Sequence, residues 1–201
     1  MSIKKDNSTF LLKSRLRRTA LKNSVPGCPV LETHGGVGRL YSELYSDGRT
    51  GLVIEKKEDK AEILSGQRPH WRVYSADCIK VLGAGLGKDL KFGFIDVDPC
   101  GSPFDVLSAI FNHNRELEDD LQLVVNDGLR QKVKIGTAWQ VKALAEIVDV
   151  RGNDLYPIYL EVALEMVSKI VANAGYRVDS WTGYYCGHKN DMSHYYARLK
   201  R

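Results

Sequence analysis

Apolar positions in this chain fall into short dense runs separated by longer amphipathic stretches. Val30-Leu31-Glu32, Gly51 to Glu55, Arg72 to Tyr74, Phe92 to Val97 and Leu121 to Val125 read as five buried strands. The intervening segments read as helices: Val37 to Tyr45, a charged stretch to about Leu64, Asp77 to about Leu86, and Pro103 to Arg115. Ahead of the first strand, Leu12, Leu16, Ala20 and Leu21 are spaced by about one turn and predict a helix over Leu11 to Asn23, broken by Val25-Pro26-Gly27. Leu160, Ala163, Leu164, Val167, Ile170, Val171 and Ala174 repeat at helical spacing, and Gly175 ends that helix. Two further strands, Arg177 to Tyr184 and His194 to Leu199, flank a polar turn. Residues 128–155 are less regular, with a candidate helix at Trp139 to Val148.

Strand–helix alternation with short, apolar strands predicts a mainly parallel sheet covered by helices on both faces, a Rossmann-like α/β fold with seven strands and an antiparallel last one. In such sheets ligands sit at the carboxyl ends of the strands. The 201 residues, 43% hydrophobic and 27% charged, suit one globular domain. The four cysteines are scattered and form no CxxC pair, and Met1 to Phe10 has no apolar signal region. With no apolar run of the roughly 18 residues that span a bilayer, a cytoplasmic protein with reduced thiols and no membrane partner is expected. Charge is uneven. Of 29 Lys and Arg and 25 Asp and Glu, the first 22 residues hold seven and one, leaving 22 and 24 for the rest. This predicts a basic helical arm over residues 1–24 ahead of the Rossmann-like domain over 25–201, with Lys13, Arg15, Arg17 and Arg18 as candidate phosphate contacts.

The predicted strand ends carry acids and glycines. The first turn is Glu32-Thr33-His34-Gly35-Gly36-Val37-Gly38, where glycines admit a ligand close to backbone N–H groups. Tyr41 stands where a dinucleotide fingerprint needs its third glycine, which argues against a nicotinamide or flavin site. Glu55, 17 residues after Gly38, is placed to accept ribose hydroxyls. Asp77 follows the third strand and is placed to accept from an adenine amino group. After the fourth strand comes Asp96-Val97-Asp98-Pro99-Cys100-Gly101-Ser102-Pro103.

Glu32, Glu55, Asp77 and Asp98-Pro99, in this order, resemble the class I S-adenosylmethionine-dependent methyltransferases over about residues 28–127. His34 stands where that family's first loop glycine is usual. Asp98 to Pro103 further resembles the D-P-F-G-S-P motif of the tRNA guanine-26 N2-methyltransferase (Trm1) family, with Cys100 in place of the aromatic residue. Asn126-Asp127 is similar to that family's T-D pair, and the family's additional C-terminal domain is not expected here. The resemblance implies S-adenosylmethionine as cofactor, held by Glu32, His34, Gly35, Gly36, Gly38, Glu55, Lys56, Asp77, Cys78 and Asp96. It implies a nucleic-acid substrate, RNA first, and places Asp98, Pro99, Cys100 and Gly101 at the reaction centre.

The chemistry fits those residues. A nucleobase amino group has its lone pair delocalised into the ring and is a poor nucleophile. A carboxylate and a carbonyl that accept its two N–H bonds, here Asp98 and Pro99, aim that lone pair at a methyl donor. Two alternatives stay open: a pyrimidine C5-methyltransferase using the Cys100 thiolate as covalent nucleophile, and a cofactor- or nucleic-acid-binding module without turnover. Cys186, His188 and His194 lack metal-site spacing, so no metal is expected. Trp139 is a further candidate for substrate binding.

Overall fold

The computed structural model of the chain describes residues 7–137, 144–145 and 154–201. The predicted Trp139–Val148 helix, Trp139 included, lies outside the described residues.

Seven strands form one sheet. β1 (Val30–Glu32), β2 (Gly51–Glu55), β3 (Trp71–Ser75) and β4 (Phe92–Val97) are parallel, as is β5 (Leu117–Asp127) to β4. β6 (Arg177–Cys186) and β7 (Met192–Lys200) form the closing hairpin, with β7 inserted antiparallel between β5 and β6. The order is β3-β2-β1-β4-β5-β7-β6, the arrangement of the class I methyltransferase fold. β2 and β4 are buried along their whole length because both faces are covered, which is why, apart from Glu55 and Asp96 near their ends, they read as apolar runs rather than alternating ones. β5 begins four residues earlier than its apolar run predicts. Its polar leading residues are drawn into the ladder by partners: Leu117 pairs with Phe92, and Asp120 pairs with Lys200.

Helices α1 (Asn7–Asn23), α2 (Arg39–Leu44) and α3 (Glu58–Gln67) cover one face, where Leu16, Ala20, Tyr41, Tyr45 and Leu64 pack with Val53, Phe94 and Val124. The other face takes α4 (Cys78–Gly83), α5 (Phe104–Phe111), the short α6 (Arg130–Lys134) and α7 (Tyr159–Ala172). Val162, Ala163, Val167 and Val171 are the buried stripe of α7, and Gly175 ends it at φ +79°, a left-handed conformation that costs glycine nothing. α5 ends at Phe111 rather than reaching Arg115, which instead turns inward to donate to the Leu82 carbonyl in the last turn of α4 and the Leu86 carbonyl just beyond it.

Strand order reverses between β1 and β4. The connections leaving these two strands diverge to opposite faces, so a cleft opens at their carboxyl ends.

Candidate active site

The loop after β1 is tied to both neighbours. Thr33 N–H donates to the Asp96 carbonyl at 3.0 Å and Gly35 N–H to the Ile54 carbonyl at 3.3 Å. A Cβ at Gly35 would lie 2.6 Å from Leu64 and Val53, so the chain passes too close to the core for any side chain. Gly36 and Gly38 sit at φ +57° and +78°. A Cβ on Gly36 would meet nothing within 4 Å, so the backbone there faces open space. Gly36 N–H donates to Glu55 Oε2 at 2.9 Å, and Lys57 N–H to Glu55 Oε1 at 3.0 Å. An almost buried carboxylate at the end of β2 is thereby fixed beside the glycine turn, with lone pairs left to accept hydroxyls. These residues fit the nucleoside and amino-acid parts of S-adenosylmethionine: a diol acceptor, open glycine backbone, and a further acid one strand along. That acid, Asp77, caps α4 through Lys80 N–H and meets Lys56 Nζ at 3.2 Å. These two contacts hold its carboxyl below the usual range.

His34 sits at the centre of this group. Its Nδ1 is 2.8 Å from Thr33 Oγ1 and its Nε2 lies 3.6 Å from Cys78 Sγ. Burial lowers its pKa despite the surrounding carboxylates of Asp98, Glu55, Asp96 and Asp77, which act the other way. A neutral ring therefore occupies the place of a loop glycine and links β1 to the start of α4.

Past β4, Asp98 accepts Lys13 Nζ on both oxygens, at 2.9 and 3.0 Å, and the Asn126 side-chain amide on Oδ1. Its side chain is 18% exposed. Burial alone would raise its pKa, but Lys13, Arg17 and Asn126 outweigh it and keep the carboxylate below its ordinary value. Pro99 is buried beneath the turn and Cys100 is an exposed free thiol. Gly101 accepts Gly128 N–H at 3.2 Å, tying the turn to the end of β5.

Three expected site residues need correction. Asp96 is fully buried and its carboxylate is taken by Arg17 Nε at 2.7 Å, Arg17 Nη2 at 2.5 Å and the Tyr45 hydroxyl at 2.7 Å, so it presents nothing to a cofactor. Arg17, expected to contact phosphate, is fully buried for the same reason: it faces inward from α1 and neutralises Asp96. Glu32 is buried against Arg68, and burial raises its pKa to about 7 even with that partner; it holds the loop rather than lining the cleft. Arg15 and Arg18 are exposed on α1, Arg18 paired with Glu43, while Lys13 points to Asp98. From the sequence, Asn126 is legible only as part of a T-D-like pair after the fifth apolar run and is not among the expected site residues. No pattern in the chain marked Arg68.

Beside Asn126 on β5 stands His194 on β7, and Tyr184 on β6 follows. Tyr184 hydroxyl lies 3.1 Å from His194 Nδ1. Burial lowers the His194 pKa to about 3, with Lys13 and Arg17 adding to the effect.

No family profile matches the chain, and no curated protein matches it in sequence. Solved structures share its fold. Trm1 from Pyrococcus horikoshii, in complex with S-adenosyl-L-methionine, superposes with a TM-score of 0.64 at 12% identity over 94% of this chain, which spans 55% of that structure. The N-methyltransferase NodS from Bradyrhizobium japonicum WM9 gives 0.63 at 11% identity, covering 99% of this chain and 100% of its own. The plantazolicin methyltransferase BpumL, in complex with a triazolic desmethylPZN analog and SAH, gives 0.60 at 13% identity, covering 98% and 87%. The class I methyltransferase fold is therefore the fold of this chain.

Proposed function

We propose that the protein is an S-adenosylmethionine-dependent methyltransferase that modifies an exocyclic amino group of a nucleobase, in RNA first and with guanine N2 as the leading position. The observation that carries this reading is Asp98. It is an ionised carboxylate, partly open, already holding the Lys13 head group on both oxygens, and set beside a glycine turn at the strand-order reversal. When bound, S-adenosylmethionine supplies an electrophilic methyl group on its sulfonium. The chain supplies the positioning. The Gly36 backbone and Glu55 receive the cofactor's amino-acid and ribose parts, and Asp77 the adenine end. Asp98 and the Pro99 carbonyl accept the two N–H bonds of the target amine, which turns its lone pair away from them and toward the methyl group. Asn126, by donating to Asp98, keeps that carboxylate oriented. The neighbour from Pyrococcus horikoshii, named as a Trm1, supports a tRNA-type substrate, whereas NodS and BpumL show that the same fold serves other acceptors.

Labelled methyl transfer to total RNA and total DNA, followed by nucleoside mass spectrometry, tests the proposal. N2-methylguanine in RNA is the expected product, and N6-methyladenine would move the target to another base. If 5-methylcytosine forms and Cys100→Ala abolishes it, the amine route is wrong and the thiolate route stands. Asp98→Ala should lower turnover by roughly 10²–10³-fold, the range seen when one preorganised transition-state contact is removed, while calorimetry shows cofactor affinity retained. A wild-type protein that binds no S-adenosylmethionine would overturn the proposal as a whole.

A further inference from the structure

We infer that Lys13 is itself a methyl acceptor, so that the protein modifies its own first helix in the Asp98 site. The inference rests on the reading of Asp98 as the residue that receives the target amine. Lys13 Nζ meets that description within the free chain, at 2.9 Å from Oδ1 and 3.0 Å from Oδ2.

The contact differs from the other lysine–carboxylate pairs among the described residues. Lys13 is 19% exposed, whereas the lysines paired at Asp77, Glu118, Asp191, Glu165 and Asp179 are 76%, 52%, 37%, 61% and 35% exposed. Those are surface pairs that contribute little. Lys13 is delivered by a fixed element. One turn along α1, Arg17 is locked to Asp96, and its Nη1 donates to the Lys13 carbonyl at 3.3 Å. Leu16 and Ala20 anchor the same helix in the core. The amine therefore arrives at Asp98 with its entropy of positioning already lost, the condition for an efficient intramolecular reaction.

The geometry also aims the amine. Two of its N–H bonds point at the two carboxylate oxygens. Once the third proton is released to solvent, the lone pair takes that third direction, away from Asp98. Nζ forms a bond to the sulfonium methyl carbon, the sulfur–methyl bond breaks, and its electron pair stays on sulfur. The products are a methylated lysine ammonium and S-adenosylhomocysteine, so positive charge and atoms balance.

The experiment incubates the full chain with S-adenosylmethionine and no added substrate, then maps peptides by mass spectrometry. One methyl group on Lys13 is expected, none at that position in Lys13→Arg, and at least about tenfold less in Asp98→Ala. Acetylation by acetic anhydride, without cofactor, probes the Lys13–Asp98 pair independently. Lys13 should react at least about tenfold more slowly than exposed Lys22, and the protection should vanish in Asp98→Ala. Should Asp98→Ala fail to fold, Lys13→Arg and the wild-type protection pattern still decide. A wild type that methylates RNA but leaves Lys13 unmodified overturns this inference and leaves the proposed function intact. Methyl groups on exposed lysines alone, or Lys13 acetylated as fast as Lys22, also overturn it. Cofactor binding with no methyl transfer to any acceptor counts against both readings.

Discussion

Two guanidinium groups, Arg17 and Arg68, lie buried at the carboxyl edge of the sheet, each facing a buried carboxylate, Asp96 and Glu32. Removing one partner of such a pair leaves the other charge unsolvated, at a cost of about 3–5 kcal/mol. Arg17→Ala should therefore lower unfolding stability in urea by about that amount. Arg15→Ala, only two residues away but exposed, should stay within about 0.5 kcal/mol of wild type. Equal, small effects from both would mean that Arg17 is not the counter-charge of Asp96. Gly36 offers a second test at this scale. Its left-handed backbone would cost an alanine about 1–2 kcal/mol, yet a Cβ there meets no atom within 4 Å. Gly36→Ala should fold, with cofactor affinity reduced in calorimetry because the added methyl stands in the open space above the turn. Unchanged affinity would remove Gly36 from the site.

At the scale of elements, Asp127 clamps three of them. Its Oδ1 accepts Leu129 N–H at 2.8 Å, and Oδ2 accepts the Tyr159 hydroxyl of α7 at 2.9 Å and the Tyr195 hydroxyl of β7 at 3.3 Å. Burial raises its pKa from the ordinary 3.8 to about 7, against the pull of those three donors. A raised carboxyl favours the folded state when protonated. Its contribution is complete below about pH 4, is lost as pH rises to about 7, and is constant above that. His194 acts in the opposite sense. Its pKa, lowered from 6.5 to about 3, makes stability fall as pH drops below its ordinary value. The wild-type curve mixes these with Glu32, whose pKa burial also raises, so the informative quantity is the difference between wild type and Asp127→Asn across pH. The wild type should lose stability relative to the variant between about pH 4 and about pH 7. A difference that is flat over that window would show that Asp127 titrates normally.

For the molecule as a whole, the basic residues of α1 do not all face solvent. α1 is a packed part of the fold, with Leu16, Arg17 and Ala20 turned inward and Arg15, Arg18 and Lys22 outward. Among the described basic residues of α1, a nucleic-acid substrate would therefore meet the outward set. Replacing Arg15, Arg18 and Lys22 together with alanine should weaken RNA binding and reduce the slope of log affinity against log salt by about 0.7 for each single-strand phosphate that is no longer neutralised. Cofactor affinity should not change. An unaltered salt slope in filter-binding titrations would take α1 out of the substrate interface.

Much of this architecture is written locally. β2 and β4 are apolar but for Glu55 and Asp96 because a strand covered on both faces excludes water along its length, and the stripe of α7 follows from helical period alone. The order Glu32, Glu55, Asp77, Asp98-Pro99 is likewise legible, since turns at successive strand ends leave residue types that a strand or helix interior would not hold. Which acid faces the cleft is a different kind of question. Asp96 lies in β4 and Asp98 just past its end, and nothing in their spacing says that the first is consumed by Arg17 and Tyr45 while the second stays partly open. That depends on α1, whose own periodicity reveals an inward stripe but not the strand it lies against. Arg17 read as a surface charge because charge is a property of the residue, whereas burial is a property of its neighbours. Lys13 on Asp98, Arg68 on Glu32 and Asn126 beside His194 join segments 85, 36 and 68 residues apart. Such pairings are set by packing across the sheet, so the sequence by itself determined the strands, the turns and the residue types at them, and only the tertiary structure decided which charges neutralise each other and which carboxylate stays partly open.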